Sequence, residues 1–206
     1  MQKVESADRL DGEELRAALG DQKIGHKIVV VEETGSTNDI VWEMAAAGAE
    51  EGLVVFAERQ SAGRGQYGRS WESAPFKGLW FSILLRPKIA LIDSPRLSAL
   101  LAEVVAKALI EECACEATIK QPNDVYISSR KVAGALIEGR NTAEGNYVAV
   151  AGIGVNVNHT LADFPEELRA TAGSLAMAAG HSFVRAELAV ALLRRLNSVR
   201  FDLPPP

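Results

Sequence analysis

The stretch SAGRGQYGRSW, residues Ser61–Trp71, differs more from ordinary scaffold sequence than any other part of this chain. Arg64 and Arg69 alternate with glycines there, and no carboxylate lies in the stretch or in the two residues before it. Glycine lets the backbone turn tightly and approach a ligand closely. Guanidinium groups without acidic neighbours, beside exposed peptide N–H groups, are typical of a carboxylate or phosphate site. We therefore predict an anion-binding loop, with its glycines at Gly63, Gly65 and Gly68.

The same glycines also fit two phosphate-binding patterns, and both fail on context. The dinucleotide fingerprint GxGxxG needs a helix directly after it and an acidic residue about 20 positions further on. Residues 70–75 have no helical periodicity, and Lys88 stands at that distance. The phosphate loop GxxxxGK[ST] would put Arg69 in place of the lysine, again without a following helix. A flexible surface loop is a further interpretation, but it does not account for the repeated arginines.

Composition limits the kind of protein this is. The chain has 206 residues and a mass of 22.1 kDa, which suits one domain. It is 48% hydrophobic and 24% charged, as soluble globular proteins are. A net charge of −5 and a pI of about 5.3 argue against general binding to nucleic acid or membrane surfaces. The positive charge is local, which favours a small anionic ligand.

Other residue classes give little sign of a metal site or of export. Cys113 and Cys115 are spaced for neither a disulfide framework nor a zinc site, so reduced thiols are expected. The three histidines are scattered and form no metal-binding motif. The N-terminus lacks the apolar core of a signal peptide, and no apolar run is long enough to cross a bilayer. A cytoplasmic protein is expected.

Hydrophobic periodicity predicts a chain in which strands and helices alternate. A short N-terminal helix precedes the first strand, and acids in its first turn with a following glycine mark its ends. The predicted helices are 11–19, 40–48, 93–112, 174–180 and 183–196, and the predicted strands are 28–31, 53–57, 78–85, 117–119, 125–127, 131–138 and 146–158.

Small and polar residues stand at the ends of several of these elements. Ser36 or Thr37 is a predicted N-cap of the second helix. Capping explains one side chain but not three polar residues in succession, so we expect some of Ser36, Thr37 and Asn38 to face a polar ligand. Gly152 and Gly154 in the last strand predict that another group approaches the backbone closely.

Four segments, in this order and at these separations, resemble the catalytic domain of biotin protein ligases. The resemblance covers about residues 24–158 and is specific because the set is ordered. The segments are GSTND (Gly35–Asp39), SAGRGQYGRSW (Ser61–Trp71), KQPNDVYISSRKVAGALIE (Lys120–Glu138) and GIGVNVN (Gly152–Asn158).

The resemblance implies an α+β fold in which helices flank a central mixed β-sheet, related to class II aminoacyl-tRNA synthetases and lipoate ligases. It implies one catalytic domain over residues 1–206, with a core at about 24–200. It also implies a two-step ligase. Biotin and ATP, which carries Mg²⁺, form biotinyl-5′-adenylate and pyrophosphate, and the biotin then passes to a lysine of a biotin carboxyl carrier domain. DNA and membranes are not expected partners, and a homodimer stays open because some members pair through an edge strand.

The resemblance also assigns residues to roles. Lys131, Arg64 and Asp124 are the implied catalytic residues. Lys131 would bridge the biotin carboxylate and the phosphate, Arg64 would clamp that region, and Asp124 would orient or deprotonate the incoming amine. The implied biotin site comprises Ser36, Thr37, Asn38, Gln60, Gly63, Arg64, Lys131 and Gly134. The implied ATP site comprises Arg64, Gln66, Arg69, Trp71, Asn123, Lys131 and Asn156, and no metal ligand is implied.

Each assignment has a structural alternative. Lys131 also fits a lysine that protects an edge strand from pairing. Asp124 also fits ordinary turn chemistry after Pro122 and Asn123. The remaining alternatives are that Asn156 and Asn158 satisfy backbone groups at a strand end, and that Trp71 and Trp80 belong to the core.

The chain departs from the family pattern at several places. Gln66 stands where many members carry an arginine, so we expect weaker retention of the adenylate, and Gln121 replaces a tryptophan. We expect neither the N-terminal DNA-binding domain nor the β-rich C-terminal domain of some members. Two rival functions stay open, a lipoate or octanoate ligase or transferase on the same fold and a biotin-binding relative without catalysis.

Overall fold

A computed structural model describes residues 8–89, 91–142 and 145–202 of the chain. Long apolar runs form strands that are buried on both faces, and amphipathic segments form helices against them. The strands are β1 (Ile28–Thr34), β2 (Val54–Gln60), β3 (Gly78–Leu85), β4 (Ala117–Lys120), β5 (Asp124–Ile127), β6 (Arg130–Asn141) and β7 (Tyr147–Asn156). The helices are α1 (Gly12–Leu19), α2 (Thr37–Ala46), α3 (Ser94–Cys113), α4 (Leu175–Ala179) and α5 (Arg185–Asn197).

The strands form one seven-stranded mixed sheet in the order β1-β2-β3-β7-β6-β5-β4. β1 and β2 are parallel, because α2 connects them, and the other neighbours are antiparallel. This arrangement confirms the predicted mixed sheet flanked by helices.

The two faces of the sheet are covered differently. Helices α1, α3 and α5 pack with one face, where Phe56 and Phe81 stack at 4.8 Å between ring centroids. On the other face α2 packs on Val55, Leu84 and Val150, but only toward one end of the strands. The remainder of that second face is left for the cavity described below.

Most predicted element positions are confirmed, and the errors lie at boundaries. Asp11 caps α1 by accepting hydrogen bonds from the backbone N–H groups of Glu13 and Glu14, each at 2.9 Å. β2 continues to Gln60, so its last polar residues are part of the strand rather than of the loop. β7 ends at Asn156, two residues earlier than predicted. No helix of the described residues is long and apolar enough to span a membrane.

Candidate active site

A cavity of about 340 Å³ lies on the partly uncovered face of the sheet, between the glycine loop (residues 61–71), the start of α2 and strands β4 to β6. It brings together Arg64 and Lys131, which are distant in sequence, as the predicted chemistry requires. Of the predicted site residues, those that line it are Ser36, Thr37, Asn38, Gln60, Arg64, Gln66, Arg69, Trp71, Asn123, Asp124, Lys131 and Gly134.

One row of paired residues runs beneath this cavity, and all of its members except Trp80 line it. From β4 to β3 the row reads Lys120, Asp124, Gly134, Gly154 and Trp80. An added Cβ at Gly154 would lie 2.6 Å from the Trp71 ring and collide with it, and an added Cβ at Gly134 would lie 3.0 Å away, a tight contact that the ring would have to relieve. The glycines therefore make the slot in which Trp71 lies flat against the sheet.

The two tryptophans differ in their roles. Trp80 is fully buried and belongs to the core, whereas Trp71 is half-buried and lines the cavity. Their rings meet edge to face at 6.2 Å between centroids. The core interpretation is therefore confirmed for Trp80 and wrong for Trp71.

Lys131 lies at the centre of the site rather than at an edge of the sheet. Its Nζ atom is 2.6 Å from Oδ1 of Asp124 and 5.1 Å from the centroid of the Trp71 ring. Strand β6 lies between β5 and β7, so the edge-strand interpretation of this lysine is wrong. The backbone of Lys131 is also fixed, because its N–H donates to the carbonyl of Thr171 and its carbonyl accepts from the N–H of Gly173.

A chain of hydrogen bonds runs along the wall formed by α2. The Gln60 side-chain oxygen accepts from both the backbone N–H and the hydroxyl of Thr37, at 2.8 and 3.1 Å. The buried Ser82 hydroxyl lies 2.6 Å from the Thr37 hydroxyl and donates to the Asn38 side chain at 2.5 Å. Ser36 is the N-cap residue of α2, yet its hydroxyl makes no capping bond. This wall therefore has more polar side chains than the capping of α2 requires.

The prediction that the loop arginines lack acidic partners is wrong for Arg64. Its Nη2 and Nη1 atoms donate to the two carboxylate oxygens of Asp39 at 2.7 and 2.9 Å, and its Nε donates to Glu138 at 2.9 Å. The acids come from α2 and β6, which inspection of the loop sequence could not reveal. Arg59 is likewise paired, with Glu33 at 3.3 Å.

This pairing keeps both acids ionised. The hydrogen bond from Arg64 lowers the pKa of Asp39, against the opposing effect of its partial burial. Burial acts to raise the pKa of Glu138, but hydrogen bonds from Arg64, Trp42 and Asn38 outweigh it, so this pKa is lowered.

Two further cations line the cavity. The side chains of Arg69 and Lys120 make no hydrogen bond or ion pair with the residues that the structure describes. Arg69 lies close enough to Tyr126 to oppose the rise that burial causes in the pKa of that phenol. These two side chains therefore remain available for an anion.

Two predicted site residues lie outside the lining of the cavity. An added Cβ at Gly63 would lie 2.6 Å from the carbonyl oxygen of Trp71, so this glycine allows the two ends of the loop to meet. Asn156 is buried and donates to the carbonyl of Gly173 at 2.9 Å. The Asn158 side chain donates to the carbonyl of Phe183 and accepts from its N–H. Both asparagines therefore satisfy backbone groups, but these groups lie in the connections before α4 and α5 rather than at a strand end, where the structural alternative put them.

Sequence reasoning missed several residues of the site. Ser82 had a detectable signal, because it is the one polar residue of the run GLWFSILL. Glu138 and Asp39 lie within the family segments, but no local pattern pairs them with Arg64, which lies 74 and 25 positions away. Among the described residues no group of three or more histidine, cysteine or acidic side chains could hold a metal ion.

Comparison with known proteins places this geometry in a family. Residues 30–158 match the sequence model described as the Biotin/lipoate A/B protein ligase family. The chain is 36% identical to the Bifunctional ligase/repressor BirA of Bacillus subtilis over 89% of its own length and 56% of that protein's. It is 34% identical to the Biotin--[acetyl-CoA-carboxylase] ligase of Mycobacterium tuberculosis, over 88% of this chain and 68% of that one. The chain thus spans only about half the length of the Bacillus relative.

A solved structure shows the same fold. The biotin protein ligase from Aquifex aeolicus in complex with biotin and ATP has a TM-score of 0.69 to this chain. The two sequences are 32% identical, over 84% of this chain and 73% of the other.

Proposed function

This chain belongs to the biotin/lipoate A/B protein ligase family, and from that premise we propose that it is an ATP-dependent biotin–protein ligase. It would activate biotin as biotinyl-5′-adenylate and transfer it to a lysine of a biotin carboxyl carrier domain. The observation that carries the proposal is one cavity that holds Lys131, Arg69 and Trp71 opposite the polar wall of Thr37, Asn38 and Gln60.

The first step joins two anions. A carboxylate oxygen of biotin attacks the α-phosphorus of ATP, the bond to the β-phosphate oxygen breaks, and pyrophosphate leaves. Lys131 and Arg69 would offset the repulsion between the reactants. Lysine suits this position because its compact charge on a flexible chain can follow the reacting oxygens. Trp71 offers a flat, half-buried face for the adenine ring, and Ser36, Thr37 and Gln60 offer donors and acceptors for the ureido ring.

The second step releases AMP. The amine of the carrier lysine attacks the acyl carbon of the adenylate, and the bond from that carbon to the phosphate oxygen breaks. Asp124 would accept the amine proton. In the described geometry Asp124 is engaged by Lys131 at 2.6 Å, so it becomes free when Lys131 turns to the reacting oxygens. Mg²⁺ would enter with the ATP phosphates, since the described residues form no metal-binding cluster.

Acid-dependent pyrophosphate exchange tests the proposal. The protein is incubated with MgATP and biotin, lipoate or octanoate in separate reactions, followed by transfer of the label to a carrier domain. We expect exchange and transfer with biotin. Lys131→Ala should lower exchange at least about 100-fold, the usual effect of removing a group that stabilises the transition state. Lys107→Ala, at an exposed position of α3, is the matched control and should match wild type.

Other results would contradict the proposal in different ways. Exchange with lipoate and not biotin would assign the chain to the lipoate branch of the family. Biotin binding without any exchange would indicate a binding protein that has lost catalysis.

A further inference from the structure

Arg64 is the side chain that fastens the middle of the glycine loop to the body of the protein. The base of the loop is held by backbone hydrogen bonds from Ser61 and Ala62 to the β1–α2 connection. Between residues 62 and 70, Arg64 alone has a side-chain hydrogen bond or ion pair to the part of the chain that the structure describes.

The loop itself is a small hairpin whose tip has few other attachments. Its ends meet through a hydrogen bond from the Trp71 N–H to the Gly63 carbonyl, and Gly65 and Arg69 pair near the tip. The tip at Tyr67 has a left-handed backbone with φ of 58°, and its side chain is 86% exposed. Apart from the Arg64 contacts, no side-chain hydrogen bond or ion pair among the described residues holds the tip over the cavity.

The chemistry of these contacts differs from that of an anion clamp. Asp39 accepts from Nη1 and Nη2 of the guanidinium and Glu138 accepts from Nε, so all three of its nitrogens already donate to a carboxylate. The three side chains together carry one net negative charge when all are ionised. Arg64 therefore adds no net positive charge at the cavity, in contrast to Arg69 and Lys120, whose side chains have no carboxylate partner among the described residues.

From this geometry we infer that Asp39 and Glu138 are positioning residues that hold the glycine loop over the cavity through Arg64. Arg64 then anchors the loop wall instead of clamping the reacting carboxylate. Asn38, which accepts from Ser82 in the polar wall, also lies close enough to Glu138 to help lower the pKa of that carboxyl, so the anchor adjoins the wall that faces the proposed ureido ring. The choice of biotin as the ligand rests on the proposed function. The anchor, which consists of Arg64, Asp39 and Glu138, does not depend on that function.

The test compares Asp39→Asn with Glu33→Gln. Each variant removes the negative charge of an acid that is paired with an arginine. The two pairs have similar side-chain exposure, which is 37% for Arg64 and 52% for Asp39, and 49% for Arg59 and 50% for Glu33. Amide hydrogen exchange of the peptide covering residues 61–71 is measured without ligand, and the biotin Kd is measured by calorimetry. We expect Asp39→Asn to speed exchange in that peptide and to raise the Kd about threefold to tenfold. Glu33→Gln should change neither.

A conservative variant separates positioning from a general loss of stability. Asp39→Glu keeps a carboxylate within reach of Arg64 and should restore both readouts, and Glu138→Gln should act in the same direction as Asp39→Asn. Unchanged loop exchange in both Asp39→Asn and Glu138→Gln would overturn the inference, as would faster exchange with an unchanged Kd. A wild-type protein that binds no biotin would instead overturn the proposed function, and the exchange measurement would still decide whether the anchor exists.

Discussion

His159 is buried, so its protonation would destabilise the folded protein. Its ring stacks on Phe164 at 5.0 Å between centroids and meets Trp80 edge to face at 5.6 Å. Burial lowers the pKa of His159 to about 4; the nearby Asp163 opposes this shift and Lys77 adds to it. The imidazole is therefore neutral in the folded protein at pH values where an unfolded histidine is protonated.

This burial predicts a loss of stability in mild acid. As pH falls through about 6.5 the unfolded chain gains a proton at His159 and the folded chain does not, so the free energy of unfolding falls until about pH 4. Between pH 7.5 and pH 5 this histidine should cost about 2 kcal/mol. Urea unfolding of wild type and His159→Phe, which keeps the stacking, measures the difference. Parallel pH profiles for the two proteins would show that His159 is not responsible.

At the scale of elements, the facing glycines of β6 and β7 shape the site. Gly134 and Gly154 pair across the two strands and leave the space that the Trp71 ring fills. Gly152, one pleat further along, leaves space for the Asn38 side chain, which would lie 2.6 Å from an added Cβ. The sequence predicted a close approach at Gly152 and Gly154, and the structure identifies the groups that approach.

A methyl group at Gly154 should therefore displace Trp71. We expect Gly154→Ala to weaken ATP binding about 5-fold to 150-fold, because overpacking of this kind costs about 1–3 kcal/mol and Trp71 is the side chain able to move. Biotin binding should change less, since the polar wall is separate. Titration calorimetry with each ligand checks this. Gly35→Ala, where an added Cβ meets nothing within 4 Å, is the control, and equal loss in both variants would contradict the argument.

At the scale of the whole molecule, Arg185 joins three distant parts of the chain. Its fully buried guanidinium donates to Glu58 of β2 at 2.6 Å, to the carbonyl of Gly78 at 3.1 Å and to Asp8 near the N-terminus. Glu58 in turn accepts from the backbone N–H of Leu10 at 2.8 Å. This buried cluster ties the N-terminal segment, the sheet and α5 into one body.

Removal of one partner should leave a buried charge without compensation. Arg185→Met is expected to lower the free energy of unfolding by about 3–5 kcal/mol, and addition of Glu58→Gln should recover part of that loss. Arg195→Met removes an exposed pair with Glu111 at 3.2 Å and should cost no more than about 1 kcal/mol. Equilibrium unfolding in urea measures all three variants. An equal, small effect at Arg185 and Arg195 would show that the buried cluster does not stabilise the fold.

The amino-acid sequence by itself determined the elements, and its resemblance to a known family predicted the mixed sheet and most of the residues that line the cavity. Local patterns suffice for the elements, because apolar periodicity decides which face of a strand or helix is buried, and for the resemblance, because each of the four family segments is continuous in sequence. Only the tertiary structure decided the partners of Arg64 and the burial of Ser82 in the polar wall. It also decided that Gly63 and Asn156 do not line the cavity. Such contacts join residues as far as 74 positions apart, and a charge in a loop acquires its partner only when the folded chain brings another segment beside it.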